Sequence, residues 1–246
     1  MNYFWGESTP AAASTASPDA KVYKSESDVD FQAFGEENVQ ILLERDSGVD
    51  GVTSWELVDE QEGGAVKIWR GEVQGNSWSP FRASRMIAAD MQTIQDALLD
   101  SALLLQLDDM TESIRVLKTV DAHGKLSLRH ILTKGIFPVA AREFVIVTYA
   151  TTLPEGGLVI ASRSIALEGV PVLDGAVRGV NVVSGYLIKE LAPANGKPRC
   201  EVTLLAHADL QGYIPATIVN MLGTSATVKI LTNLQTLVEK QHSPAY

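Results

Sequence analysis

Four histidines and one cysteine are the side chains of this 246-residue chain best suited to acid–base, nucleophilic or metal chemistry, and their placement argues against all three. His123 falls in a turn-like stretch, His130 and His207 in strand-like runs, and His242 near the C-terminus. No two stand at the His-x-x-x-His spacing that lets adjacent helical turns share a metal ion. There is no Gly-x-Ser-x-Gly nucleophile elbow and no glycine-rich phosphate loop. Asp108 and Asp109 fall at an element end, where solvated caps are commoner than acid/base dyads. Cys200 follows Gly-Lys-Pro-Arg in a strand-like run, the setting of a small buried side chain rather than an activated thiol, and a lone cysteine excludes an intrachain disulfide. No cofactor and no metal site are expected, and catalysis is not expected either. An enzyme would have to hold its substrate near His130 or His207.

What the sequence offers instead is apolar. At HADLQGYIPATIVNML, residues 207–222, a polar strand end breaks at Gly212 and turns into a greasy helix. Ile214, Ile218, Met221 or Leu222, Val228, Leu231, Leu234 and Val238 then recur at spacings of three and four, which predicts one long amphipathic helix with Gly223 as a kink point.

The elements that must position this helix read clearly. Residues 1–30 are a Ser/Ala/Pro-rich acidic stretch that buries too little to order itself, so a flexible tail is expected there, with Tyr3, Phe4 and Trp5 as a cluster that could dock on a surface. A single domain is expected over 31–246. A helix ends at SGVDG (47–51). Two alternating runs flank Glu62-Gly63-Gly64 as a hairpin, and FRASRMIA (81–88) adds a third strand. Asp90 caps one helix, or two broken near Asp100. Six strands follow from Ser113, as hairpins around AHGK and PEGG and a pair joined by APANGKP. The fold class is therefore α+β: a curved antiparallel sheet of about nine strands gripping a long C-terminal helix.

Charge narrows the partners. The net charge of −10 is concentrated in the first fifty residues, with ten acidic and three basic side chains, and no Lys/Arg cluster offers a footprint for nucleic acid. The first thirty residues contain no signal-like apolar run, and no stretch approaches a spanning helix. A cytoplasmic, monomeric protein is the expectation.

Four stretches, WELV with GGAVKIW (55–69), FPVAAREFVIV (137–147), VRG (177–179) and HADLQGYIPATIVNML, stand in the order and spacing of one family. Over roughly residues 35–241 the chain resembles the START (steroidogenic acute regulatory protein-related lipid-transfer) domains of the helix-grip superfamily. The resemblance implies a tunnel that holds a single lipid, carried between membranes through transient surface contact, with residues 213–240 as its roof. Arg142-Glu143 matches the family's Arg-Asp and implies a structural ion pair or loop anchor; Arg178 implies a sheet-edge or loop salt bridge. Asp209 either caps the turn before the helix or pairs with a neighbouring strand. The tunnel lining implied is Phe144, Ile146 and Thr148 on one strand face, with Tyr213, Ile218, Met221 and Leu222 from the roof.

One departure matters. Where sterol-binding members carry an inward arginine this chain has Thr148, and the preceding strand offers Arg129 and His130 in place of an acidic partner. Arg129 then has two readings: buried, where it would meet a lipid phosphate, or turned to water beside Lys125 and Ser127. The first favours a phospholipid over a sterol. A lipid-gated adaptor is the alternative to a carrier, and a helix-grip cyclase or hydrolase a third reading. Apolar side chains in the loop 169–176, with Trp69 and Trp78, are noted as candidates for bilayer contact or for ordinary packing.

Overall fold

The computed structural model describes residues 21–212, 214 and 216–241, the side chains of 216–222 and 241 excepted. Tyr3, Phe4, Trp5, Tyr213 and His242, and the side chains of Ile218, Met221 and Leu222, lie outside the described residues. The elements run β1 (Lys21–Tyr23), α1 (Phe31–Ser47), β2 (Thr53–Gln61), β3 (Val66–Val73), β4 (Phe81–Ile87), α2 (Met91–Leu99), α3 (Ser101–Leu107), β5 (Thr111–Thr119), β6 (Leu126–Thr133), β7 (Ala141–Thr152), β8 (Leu158–Leu167), β9 (Ala176–Arg178), β10 (Val180–Ala194), β11 (Lys197–Asp209) and α4 (Ala216–Gln241).

Nine strands form one sheet in the order β2-β3-β4-β11-β10-β8-β7-β6-β5, with every neighbouring pair antiparallel. Two three-residue strands join it from the side, β1 parallel to β8 and β9 parallel to β7. Neither is legible in the sequence. Lys21–Tyr23 falls within the stretch read as a tail, and residues 177–179 read as the start of one long strand. The chain instead breaks at Gly179, where a Cβ would stand 2.5 Å from the Phe144 ring.

Alternation on the central strands sorts the two faces of the sheet. On β8, Val159 and Ala161 pack with Leu42 of α1, whereas Leu158 and Ile160 join the cluster of Leu231, Leu234 and Val238 from α4. The sheet is thus covered on both sides. This accounts for the nearly continuous burial of β7 and β8, and for the six valine and isoleucine residues that sit on those two strands without a polar alternation to expose.

The helices begin and end where their caps dictate. Asp30 accepts from Ala33 N at 3.0 Å, and α1 stops at Gly48, which takes the left-handed conformation at φ 71. Asp100 leaves helical geometry at ψ 119 and caps α3 through Ala102 N and Leu103 N, so the apolar run 91–107 is two helices. At the predicted kink point, Gly223, α4 continues as helix. The glycine serves close packing: a Cβ there would meet the Phe81 ring at 2.1 Å.

Polar contacts fasten both ends of the roof. The Arg85 guanidinium on β4 donates to Thr232 and Gln235 of α4 and holds Glu62 at 2.7 Å. Asn233 Nδ2 donates to the Leu107 carbonyl at 2.9 Å, tying α4 to α3. Ahead of α4, the chain at Leu210 and Gln211 is held by Arg142.

Candidate functional site

Between the sheet and α2, α3 and α4 lies a cavity of about 340 Å³, and a second of about 220 Å³ adjoins it. They share Asp108, Thr133, Ala206, Ala208, Gly223 and Ala226 as walls. The larger is walled by leucine and isoleucine from α2, α3, β5, β6 and β8 together with polar side chains of the sheet, and Phe144, Ile146 and Thr148 project together from one face of β7. Small residues on α4, Gly223 and Ala226, leave room where larger ones would touch the sheet.

Arg129 is inside. It is 4% exposed and lines the larger cavity, donating through Nε to Ser127 Oγ at 2.9 Å and through an η nitrogen to the Leu99 carbonyl, also at 2.9 Å. It forms no salt bridge with any described carboxylate. Burial pulls the guanidinium below its ordinary range, and the nearby Asp100 charge offsets this only in part. The reading that turned Arg129 to water beside Lys125 is therefore corrected. Alternation decides it: Leu126 and Leu128 pack toward α1, which sends Arg129 and Ile131 to the cavity side.

Arg142 and Glu143 do two separate jobs on opposite faces of β7. Arg142 lines the smaller cavity and donates to the carbonyls of Ala140, Leu210 and Gln211, anchoring the segment that leads into α4. Glu143 is fully buried on the other face, where it accepts from His130 Nε2 at 2.9 Å, from Arg178 Nε at 2.7 Å and from Leu173 N at 3.1 Å. Burial pushes its carboxyl up, but those donors outweigh it and hold the group below the usual carboxylate range. Arg178 also donates to the carbonyls of Val170 and Pro171, so this cluster secures the loop ahead of β9. Asp209 accepts from Gln211 N at 2.8 Å and caps the turn after β11.

His207 was not singled out as a binding residue, yet it lines the cavity and is fully buried. Its Nδ1 faces an Arg45 η nitrogen at 2.6 Å and its Nε2 the Trp78 carbonyl at 2.9 Å. Arginine only donates and a carbonyl only accepts, so Nε2 carries the proton and Nδ1 is the acceptor. Burial and the Arg45 charge push this imidazole down to about 4, against the opposing bond to Trp78. The ring is a neutral strut. Cys200 is buried, with its thiol pushed up to about 11 chiefly by burial. Trp69 stacks under the Arg82 guanidinium at 4.4 Å, a packing role.

No group of three or more His, Cys, Asp or Glu able to hold a metal ion occurs among the described residues. No described helix is long and apolar enough to cross a membrane.

A curved antiparallel sheet closed by a C-terminal helix over an apolar cavity defines the helix-grip class. Within it, the START domain pattern matches residues 51–242, and the chain belongs to the START domain family. START domain-containing protein 10 of Mus musculus is 27% identical over 199 residues, which cover 76% of this chain and 64% of that protein. An ENHANCED DISEASE RESISTANCE 2-like protein of Arabidopsis thaliana is 33% identical over 108 residues, 42% of this chain and 15% of that protein. The chain thus spans less than two thirds of either relative. The human StAR-related lipid transfer protein 5 structure superposes with a TM-score of 0.73 at 17% identity, covering 86% of this chain and all of that one.

Proposed function

We propose that this protein binds one lipid in the cavity beneath α4 and carries it between membranes, and that the lipid is a phospholipid rather than a sterol. Family membership and the likeness to a protein named for lipid transfer support the general reading. The observation that carries the preference is Arg129, a buried cation in the cavity wall with no described carboxylate within salt-bridge distance. A phosphate would supply the missing charge bidentately, whereas a sterol hydroxyl would leave the guanidinium uncompensated.

Transfer needs contact with a bilayer, and one end of the molecule suits it. Phe137 is 98% exposed on the loop before β7, beside Ile136; Val172 and Leu173 are exposed on the loop before β9. Because β7 and β9 are parallel with Ala141 opposite Ala176, both loops stand at the same sheet end, and Ile136 also lines the smaller cavity. Apolar tips beside a cavity wall favour shallow insertion of a monomer at a cytoplasmic membrane face. His207, held from both sides, and His130, committed to Glu143, support binding without turnover.

The test is transfer of labelled phosphatidylcholine and cholesterol between vesicles. Phospholipid transfer well above cholesterol transfer supports the proposal; cholesterol moved equally or faster counts against the preference. Ligand retained in the presence of acceptor vesicles points to the adaptor.

A further inference from the structure

The strand register aligns polar side chains that the chain order scatters. Thr148 of β7 lies opposite Ser162 of β8, and Ser162 lies opposite Ser184 of β10. On the other side Thr148 faces Ser127 of β6, whose hydroxyl accepts from Arg129. Asn181 sits beside this row, where the β10–β11 register shifts, and its Nδ2 donates to Ser184 Oγ at 2.7 Å and to the Ser162 carbonyl at 3.4 Å. Since a carbonyl only accepts, that contact orients the amide, and the remaining Oδ1 is buried without a hydrogen-bond partner. Arg129, Thr148, Ser162, Asn181 and Ser184 all line the larger cavity.

Donors and acceptors define what belongs there. Thr148 and Ser162 share one hydrogen bond of 2.9 Å, so one of their hydroxyl hydrogens is left over. Ser184 accepts from Asn181 and keeps its own hydrogen. With the Arg129 guanidinium these donors suit an anionic, oxygen-rich group. Asn181 Oδ1 lacks a donor, and a fully ionised phosphate cannot provide one. A ligand that also carries a hydroxyl can. The cavity volume of about 340 Å³ is that of a drug-sized ligand, which suits one acyl chain better than two.

We infer that the ligand is a single-chain phospholipid with a free glycerol hydroxyl, a lysophospholipid. Its phosphate is held by Arg129 and by the one hydroxyl hydrogen that the Thr148–Ser162 pair leaves over, and its hydroxyl donates to Asn181. This rests on the phospholipid reading above and narrows it.

Calorimetric titration of the full chain with three probes tests it: palmitoyl lysophosphatidate, with one chain and one hydroxyl; hexadecyl phosphate, with one chain and none; and dipalmitoyl phosphatidate, with two chains and none. Lysophosphatidate binds about tenfold more tightly than hexadecyl phosphate, because the analogue leaves a buried polar group unpaired, and phosphatidate binds more weakly than either. In N181L the advantage of lysophosphatidate over hexadecyl phosphate disappears. Equal affinity for the two single-chain probes in the unaltered chain, or a preference for phosphatidate, overturns the inference and leaves the phospholipid reading standing. Failure of all three to bind overturns both. The unaltered chain decides alone should N181L fail to fold.

Discussion

A guanidinium that has lost its hydration without gaining an ion pair is an unbalanced charge, and Arg129 is held in that state by only two neutral acceptors, Ser127 Oγ and the Leu99 carbonyl. A phosphate ligand would relieve it. The variant R129M should therefore lose affinity for lysophosphatidate by about 2 kcal/mol, roughly thirtyfold, while its melting temperature stays level or rises; fluorescence titration and thermal melts read the two effects. His207 sets a second expectation. Its folded pKa of about 4 lies below the ordinary histidine value, so between about pH 6.5 and 4 the unfolded chain binds the extra proton and the folded chain does not. Stability is complete above that window and falls as pH drops through it, by up to roughly 3 kcal/mol. Urea unfolding at pH 7 and pH 5 should show the loss, and H207Q should show less of it. Arg129 could be flagged from the sequence because Phe144, Ile146 and Thr148 already defined an inner face on the adjacent strand. The row Thr148, Ser162, Ser184 could not, since it exists only across the register of three strands, and serine and threonine on a strand are unremarkable one at a time.

Among the elements, the two ends of α4 have different duties. Its C-terminal half buries Leu231, Leu234 and Val238 in the main core and is clamped by Arg85, whereas Gly223 and Ala226 face the cavities. L234A should cost about 2–5 kcal/mol of stability with lipid affinity intact at temperatures where the protein remains folded. A226F should do the reverse, filling the cavity and abolishing uptake at a stability cost of about 1–3 kcal/mol. Replacing Met221 by Asp tests the nearby roof reading in the same assay, with lipid uptake lost and far-UV circular dichroism unchanged. The hairpins β2–β3, β5–β6 and β7–β8 were legible because alternation of period two and glycine-bearing turns are local signals. β1 and β9 were not. Three residues carry no periodicity, and each is a strand only because β8 or β7 presents a free stretch of backbone beside it. The α2–α3 break lay open in sequence because Asp100 suits both a helix end and a cap.

Over the whole molecule, the polar row lies against the sheet and the exposed apolar tips Phe137, Val172 and Leu173 stand at one sheet end. Binding and delivery should then be separable. F137D should leave lysophosphatidate affinity within twofold of the unaltered chain and slow vesicle-to-vesicle transfer about tenfold, because a charge at the tip opposes insertion; equal slowing of both would place Phe137 in folding or binding instead. The central claim, that one lipid is held intact beneath α4 and that it is a phospholipid, is tested most directly by native mass spectrometry of the protein after incubation with mixed-lipid vesicles, followed by extraction and identification of what it carries. The account predicts a one-to-one adduct that extracts as an intact phospholipid and disappears in A226F. A chain that takes up none of the lipids offered, one that carries only sterol, or one whose ligand is recovered chemically altered would contradict it.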